Sequence, residues 1–457
     1  MWGINFKKYR QFLTINERNK IYLRKNNSRG KGIADSKYRT KKVLMGNEVQ
    51  VPKLIARFRN TGELEKFKWE ELEGNFVVKP ESGYGGEGIL IIRKRGKWAG
   101  EWKKMNGQTI NSQDLKLHCQ EILEGKYSLH GRSGKVLIEE RIKIHPLFLA
   151  LTKVGTPDIR VIVYNGVPVM AMFRIPTEKS GGRANLQQGA IGLGIDLATG
   201  ITTFGIEGKG EVIKKIYDRS KKKYRKVNGI KIPFWKEILE TAINCQKAVP
   251  GLGFMGVDIV LDKEKGPEVL EVNARPGLSI QVCNKAGLKA RIEKVSGIEV
   301  RNIEHGITLS KYLFGESFFD KVEAKKKEQI IGHTEIIRIK INKGFKPKIN
   351  DNLIIKKGKH RVIEVKAKVD TGALRSSIDR KLAKQLGLLD ENKILYYRGY
   401  KSALGKGIKR PVVGLTFWLN KKKIVTIVNI ANRDGLTSRF LIGRRDLEGF
   451  SIKIDND

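Results

Sequence analysis

An α+β core followed by an all-β domain is predicted for this 457-residue chain by three parts of its sequence. In GVDIVLDKEKGPEVLEVNARPG, Gly256 to Gly277, two apolar β-branched runs flank a turn-rich link. NFVVKPESGYGGEGILIIRK, Asn75 to Lys94, reads as strand, glycine-rich loop and strand. After residue 331 come HTEIIRIKI, DNLIIKK, HRVIEVKAKVD, VVGLTFWL, KIVTIVNIA and RFLIG. Strands this frequent suggest an all-β domain of roughly 125 residues, an ordinary domain size.

The first stretch reads as a β-hairpin. A turn centred between Glu264 and Lys265 places Asp258 opposite Glu271, and the strand period of two puts Asn273 on the face of Glu271. Like charges directly opposed across a strand pair are destabilising. Two carboxylates and an amide oxygen on one patch make sense around a hard divalent cation, and oxygen ligands suit magnesium. Taken alone, a solvated hairpin face with incidental acids explains the same residues.

In the second stretch Lys79 and Pro80 close a strand, and the loop beyond carries Ser82, Gly83, Gly85, Gly86 and Gly88. Glycines let backbone N–H groups approach phosphate oxygens, and Lys79 can reach the same charge. The GxxxxGK[ST] spacing is missing and a strand follows, so neither a P-loop nor a dinucleotide-binding turn fits. A strand–loop–strand lid with a lysine at its base does fit. With the acid hairpin, it implies a nucleotide held by lysine and lid, its magnesium held by Asp258, Glu271 and Asn273.

With these belong INERN, DSKYRTK, LIEERI, TPDIRVIVYNGVPVMAMFRIPT, RANLQQGAIGLGID, GLGFMGVDIVLD and LEVNARPGLSIQ. In that order and spacing, from about residue 14 to about residue 295, the chain resembles the ATP-grasp superfamily. The closer resemblance is to alpha-L-glutamate ligase-like proteins, relatives of the enzyme that adds glutamate to a ribosomal protein. It implies that Lys37 and Lys79 contact ATP phosphates under the loop from Ser82 to Gly88. It implies a hinge at Leu137 to Ile142, with Glu139 or Glu140 near the base or ribose. Arg160 and Arg174 would be catalytic, facing phosphate and acyl phosphate, and Asp258, Glu271 and Asn273 would hold magnesium (manganese being the alternative). The implied activity is carboxylate–amine ligation through an acyl phosphate, with glutamate as the acid and an amine, peptide or protein as acceptor. Two departures bear on that acceptor: Gly256 stands where related peptide ligases often carry arginine, and Gln188 replaces the arginine of an NLxRGG-type stretch.

With 90 Lys and Arg in the chain, an arbitrary lysine is read as solvated surface, Lys41, Lys42, Lys94 and Lys97 included. Lys79 escapes because it closes the apolar run FVV, and Arg160 and Arg174 because they interrupt apolar runs. A charge there is costly unless paired. A phosphate partner is expected for both arginines, a structural ion pair being the plain alternative.

Late in the chain, AKVDTGALRSS carries Asp370-Thr371-Gly372, and FLIGRRDL follows some seventy residues later. The pair resembles one lobe of a retropepsin-like aspartic protease. With IIG, KRPVVGLTFWL, NIANRDG and FSIKID, the wider resemblance is to the bacterial family of ATP-dependent zinc proteases. Aspartic proteolysis needs two carboxyl groups sharing a proton. One DTG therefore requires a homo-oligomer, at least a dimer, pairing Asp370 with its mate; otherwise it is a plain turn. Zinc is not supported: the six histidines are scattered, there is no HExxH, and Cys119, Cys245 and Cys283 form no CxxC.

The expected organisation is a basic extension over 1–36, a ligase core over 37–310, a linker or closing helix over 311–330 and the β-domain over 331–457. Three unpatterned cysteines, no secretory apolar core and no membrane-length run predict a cytoplasmic protein away from membranes. A net charge of +42, with 48 acids against 90 bases, concentrates anions: ATP, a polyglutamate-like product, or RNA and the ribosome. Two other readings of the whole are a peptidase regulated by its ATP domain and an RNA- or ribosome-associated binding protein with a degenerate core.

Overall fold

The structure is a computed structural model that describes residues 10–82, 86–105, 107–128, 134–315, 329–341, 354–357, 360–401, 407–420 and 422–453. The chain forms two compact units. One runs to Ile195 and from Gly200 to Glu293; the other takes Asp196–Thr199 and the described residues from Lys294 onward.

In the first unit, β1 (Leu54–Phe58), β2 (Phe76–Pro80), β3 (Leu90–Arg95), β4 (Glu101–Lys104), β5 (Thr109–Asn111) and β6 (Val136–Glu140) form a six-stranded sheet in the order β1-β6-β2-β3-β4-β5. Helix Ser112–Leu123, started by a capping box of Asn111 and Asp114, packs on this sheet. The glycine-rich loop joins β2 to β3, as strand–loop–strand reasoning expects.

A seven-stranded sheet follows, built from β7 (Asp158–Tyr164), β8 (Val167–Ile175), β9 (Ile191–Ile195), β10 (Thr202–Glu207) and β11 (Glu211–Ile213). A separate hairpin, β12 (Lys215–Asp218) with β13 (Lys223–Lys226), comes next in the chain; β14 (Phe254–Asp262) and β15 (Gly266–Asn273) then complete the sheet, in the order β11-β10-β9-β8-β7-β14-β15. β7, β8 and β14 are buried along their whole length, as apolar runs are when helices cover both faces of a sheet. Helix Trp235–Ala248 packs on β7, β8, β14 and β15, and helix Ile280–Asn284 on β8 to β10. Asn165 and Gly166, at φ 49° and 73°, make the two-residue turn between β7 and β8.

The N-terminal residues are not an appendage. Asn26 is 2% exposed; its amide donates to the Phe254 and Ala274 carbonyls at 2.6 and 3.0 Å and accepts from the Phe254 N–H at 2.9 Å. That stitching makes the described part of the expected 1–36 extension integral to the first unit.

In the second unit, β16 (Gln329–Ile331) lies parallel to the last strand, β25 (Phe450–Ile452). Between them lie β17 (Thr334–Lys340), β18 (Ile354–Lys357), β19 (His360–Asp370), β20 (Ser377–Asp379), β21 (Ile394–Lys401), β22 (Gly407–Leu419), β23 (Lys422–Ala431) and β24 (Phe440–Gly443). The ladder β17-β19-β24-β20-β23-β22 closes on itself, because Phe417–Leu419 of β22 also pair with Ile337–Ile339 of β17. Closure pairs these six strands on both sides, while β18 and β21 attach outside the ring, to β19 and β22. Ile337, Ile339, Phe417, Phe440 and Ile442 are among the residues of its core.

Helix Ile303–Phe314 belongs to this unit: Arg301 donates to the Glu391 and Ile394 carbonyls at 2.9 and 2.7 Å, and Tyr312 covers Gly414 so closely that a Cβ there would meet its ring at 2.4 Å. The division thus falls at Glu293, before the expected ligase end at 310, because this helix packs on the barrel. Most of the expected linker, residues 316–328, lies outside the described residues. Among the described residues no helix is long and apolar enough to cross a membrane.

Candidate functional site

The acid hairpin has the expected pairing by a different route. Its loop is three residues, 263–265, closed by Gly266 at φ 80°, so Asp262 pairs Gly266 and Ile259 pairs Val269. A bulge then shifts the register by one residue and brings Asp258 opposite Glu271, with Asn273 two residues on. Asp258 is 2% exposed, whereas the Glu271 side chain is 41% exposed. Glu271 hydrogen-bonds Asp258, and burial followed by the Asp258 charge pushes the Glu271 carboxyl above its usual range.

Arg160 and Arg174 point to carboxylates rather than outward. Arg160 donates Nε and Nη2 to the two oxygens of Asp258 at 2.7 and 2.6 Å. Arg174 donates Nε and Nη2 to Asp158, both at 2.6 Å, and Nη2 also to Asp258 Oδ2 at 2.7 Å. All four are buried residues of the sheet. Burial works to raise the Asp258 carboxyl, but Arg160 and Arg174 outweigh it and hold the group well below the carboxylate range. The ion pair that the sequence allowed for both arginines is present: the cost of a buried guanidinium is met by Asp158 and Asp258, whose positions opposite the arginines follow from the β7–β8 and β7–β14 registers.

A second charge cluster lies on the small sheet. Lys79 Nζ meets Glu139 Oε2 at 2.7 Å, and Lys41 Nζ lies 3.4 Å from Glu139 Oε1. Burial pushes the Glu139 carboxyl up, and the two lysines overcome this and hold it low. Contrary to the solvated surface expected of it, Lys41 is 6% exposed, and desolvation drives its ammonium down to about 8. Lys37 stands one helical turn earlier, at the start of helix Lys37–Met45, whose cap Ser36 donates to Glu81 at 2.7 Å. Arg57 holds the other Glu81 oxygen at 2.8 Å.

Lys37 links the two clusters. Burial lowers its ammonium, and the charges that act on it in turn are Glu271, Lys79, Glu139 and Glu81. Both expected phosphate lysines and the half-buried Glu271 of the hairpin therefore share one field. Glu140, on the opposite side of β6, instead pairs Lys265 at 2.8 Å, so alternation separates the two hinge glutamates. Ser82 is exposed; Gly86 and Gly88 have φ 82° and 72°, and Gly88 lies against Tyr127 with no room for a Cβ. The Gly88 carbonyl contacts His118 Nε2 at 3.1 Å. Gly83 and Gly85 lie outside the described residues.

The donor set fits a hard divalent cation. Glu271 and Asn273 offer oxygens at the accessible side of the hairpin, although the Asn273 Oδ1 already accepts from the Arg275 N–H at 2.8 Å. Asp258 contributes only what its two arginines leave free. Among the described residues no three His, Cys, Asp or Glu side chains cluster as a metal site.

In the second unit, Asp370 ends β19 and pairs in parallel with Gly443 of β24. Its Oδ1 accepts from the N–H groups of Gly372 and Ala373 at 2.9 and 3.0 Å, the turn that DTG also allows.

The family model of sugar-transfer associated ATP-grasp proteins matches residues 17–297. No curated protein matches. Among solved structures, D-alanine–D-alanine ligase from Bacillus anthracis is similar at 18% identity over 59% of this chain and 68% of that one, with a TM-score of 0.32. VanG D-Ala:D-Ser ligase from Enterococcus faecalis gives 16% over 60% and 63%, TM-score 0.34. L-amino acid ligase from Bacillus licheniformis gives 14% over 56% and 43%, TM-score 0.31.

Proposed function

Because the chain belongs to the sugar-transfer associated ATP-grasp family, we propose that its first unit is an ATP- and magnesium-dependent carboxylate–amine ligase acting through an acyl phosphate. The observation that carries this reading is Lys79, buried at the base of the glycine-rich loop and held by Glu139 at 2.7 Å, in the same unit as the Asp258–Glu271 hairpin.

Phosphoryl transfer needs positioning and charge neutralisation more than covalent help. Lys37 and Lys79 bind the phosphates, and Glu139 aims the Lys79 ammonium. A carboxylate oxygen of the acid attacks the γ-phosphorus, the bond to the β-phosphate oxygen breaks, and ADP leaves. The amine nitrogen then attacks the acyl carbon, phosphate departs with the bonding electrons, and the amine loses a proton. When bound, the metal would neutralise phosphate charge from Glu271, Asn273 and the free part of Asp258. Arg160 and Arg174 act by holding Asp258 in place.

Glutamate as the acid rests on the resemblance to glutamate ligases. The family's description adds a sugar-bearing amine to the peptide and protein acceptors to be tried. The second unit we read as a retropepsin-like domain that could trim what the ligase adds. β19–β24 pairing, which sets Asp370 beside Gly443, supports it, and activity would need a second copy to supply the other carboxyl. A cytoplasmic setting, and attraction of RNA or the ribosome to the +42 charge, complete the reading.

The test is phosphate release, with mass spectrometry of acceptor pools supplied with ATP, magnesium and glutamate. Release should depend on magnesium and on both substrates and collapse in Lys79→Ala and Glu271→Ala. Acceptor-independent release would favour a peptidase regulated by its ATP domain. Peptide cleavage that survives Asp370→Ala would remove the aspartic mechanism.

A further inference from the structure

The β12–β13 hairpin takes no part in the proposed chemistry, yet its two faces differ sharply. Lys215 pairs Lys226, Ile216 pairs Arg225, Tyr217 pairs Tyr224 and Asp218 pairs Lys223. Strand alternation therefore gathers Lys215, Tyr217, Tyr224 and Lys226 on one face. The opposite face is anchored: Ile216 is buried, and Asp218, 1% exposed, accepts from Ser220 Oγ at 2.6 Å, the Lys221 N–H at 3.2 Å and Arg225 at 3.3 Å. Arg219 ties the turn down, donating its N–H to the Ala150 carbonyl at 2.8 Å and its Nη1 to the Thr152 carbonyl at 2.9 Å.

The outward face is open. Tyr224 is 68% and Tyr217 41% exposed, with their rings edge to face at 5.3 Å. Lys215 and Lys226 flank them, and Lys221, Lys222 and Lys223 crowd the turn, all exposed. Among the described residues none of these five lysines forms an ion pair with a carboxylate. A rigidly held aromatic pair between unneutralised ammonium groups matches a ligand that alternates flat rings with anionic charge.

We propose that this face binds single-stranded nucleic acid, with bases stacking on Tyr224 and Tyr217 and phosphates meeting Lys215, Lys226 and the lysines of the turn. A duplex hides its base faces, and an acidic peptide offers charge without rings. The site is independent of the ligase reading.

A +42 chain attracts any polyanion, so the test must isolate the rings. Full-length protein is titrated with labelled oligouridine, an abasic oligomer of equal length and polyglutamate, each over a range of salt. Oligouridine should bind more tightly than the abasic strand. Tyr217→Ala with Tyr224→Ala should abolish that difference, a loss of at least about fivefold. Tyr217→Phe with Tyr224→Phe should keep it, while Lys215→Ala and Lys226→Ala should each flatten the salt slope by about 0.7. Equal binding of base-bearing and abasic strands, or tyrosine variants with an unchanged thermal midpoint and undiminished oligouridine preference, would overturn the proposal. Tighter binding of polyglutamate would overturn it in favour of an acidic peptide.

Discussion

Arg160 and Asp258 face each other across the β7–β14 ladder and are joined by two charge-assisted hydrogen bonds of 2.7 and 2.6 Å. Arg174 adds a third donor to the same carboxylate while holding Asp158 through two more. Breaking a buried pair from one side leaves an uncompensated charge, at a cost of about 3–5 kcal/mol. Arg174→Met should lose that much stability, because Asp158 then loses its bidentate partner. Arg160→Met should lose less, since Asp258 retains Arg174. Urea denaturation of the two variants checks the ranking; equal losses would mean the network is not shared as described.

Lys41 gives a pH dependence of definite sign. Its ammonium titrates at about 8 in the folded chain, below the 10.5 of a free lysine, so the unfolded chain binds more protons between those values. Stability should therefore rise as pH increases from 8 toward 10.5, by at most roughly 3 kcal/mol, and the burden should be fully present below pH 8. Lys41→Met should flatten that rise. Urea midpoints of both proteins across the interval measure it, and parallel curves would sink the idea.

Lys41 also shows what the sequence leaves hidden. On composition it is one lysine among many, and only the fold turns it one helical turn beyond Lys37 toward Glu139. The facing of Asp258 and Glu271 was legible, because turn residues and alternation set a register. Its route was not, since a three-residue loop and a later bulge cancel in the count. The partners of Arg160 and Arg174 were half visible. Asn165-Gly166 announces the β7–β8 turn, but a register shift between Ile162 and Val163 is what carries Asp158 opposite Arg174. The ring of strands in the second unit depends on β22 pairing β17, a contact between distant segments that no local pattern encodes.

Asn26 makes the N-terminal segment a structural part of the first unit. Asn26→Ala would strand the Phe254 N–H and two carbonyls in a buried place, at about 1–3 kcal/mol for the unmet groups. Amide exchange in residues 15–34 should accelerate, together with the start of β14. Exchange that changes nowhere near Phe254 would show that the segment is held by other contacts.

Gly443 tests the barrel junction that places Asp370. A Cβ at Gly443 would lie 2.4 Å from the Arg375 carbonyl carbon and 2.7 Å from its nitrogen, both backbone atoms that cannot swing aside. The Gly443 N–H donates to Ser376 Oγ at 3.0 Å, and Ser376 Oγ donates in turn to Asp446 at 2.5 Å, so displacement of β24 breaks a buried relay as well. Gly443→Ala should therefore destabilise the second unit by about 1–3 kcal/mol, the usual cost of overpacking. Amide exchange should quicken in β19, β20 and β24, while nucleotide binding by the first unit stays intact. If β24 kept its wild-type protection, the close approach of Gly443 to Arg375 could not be what fixes the loop of Asp370.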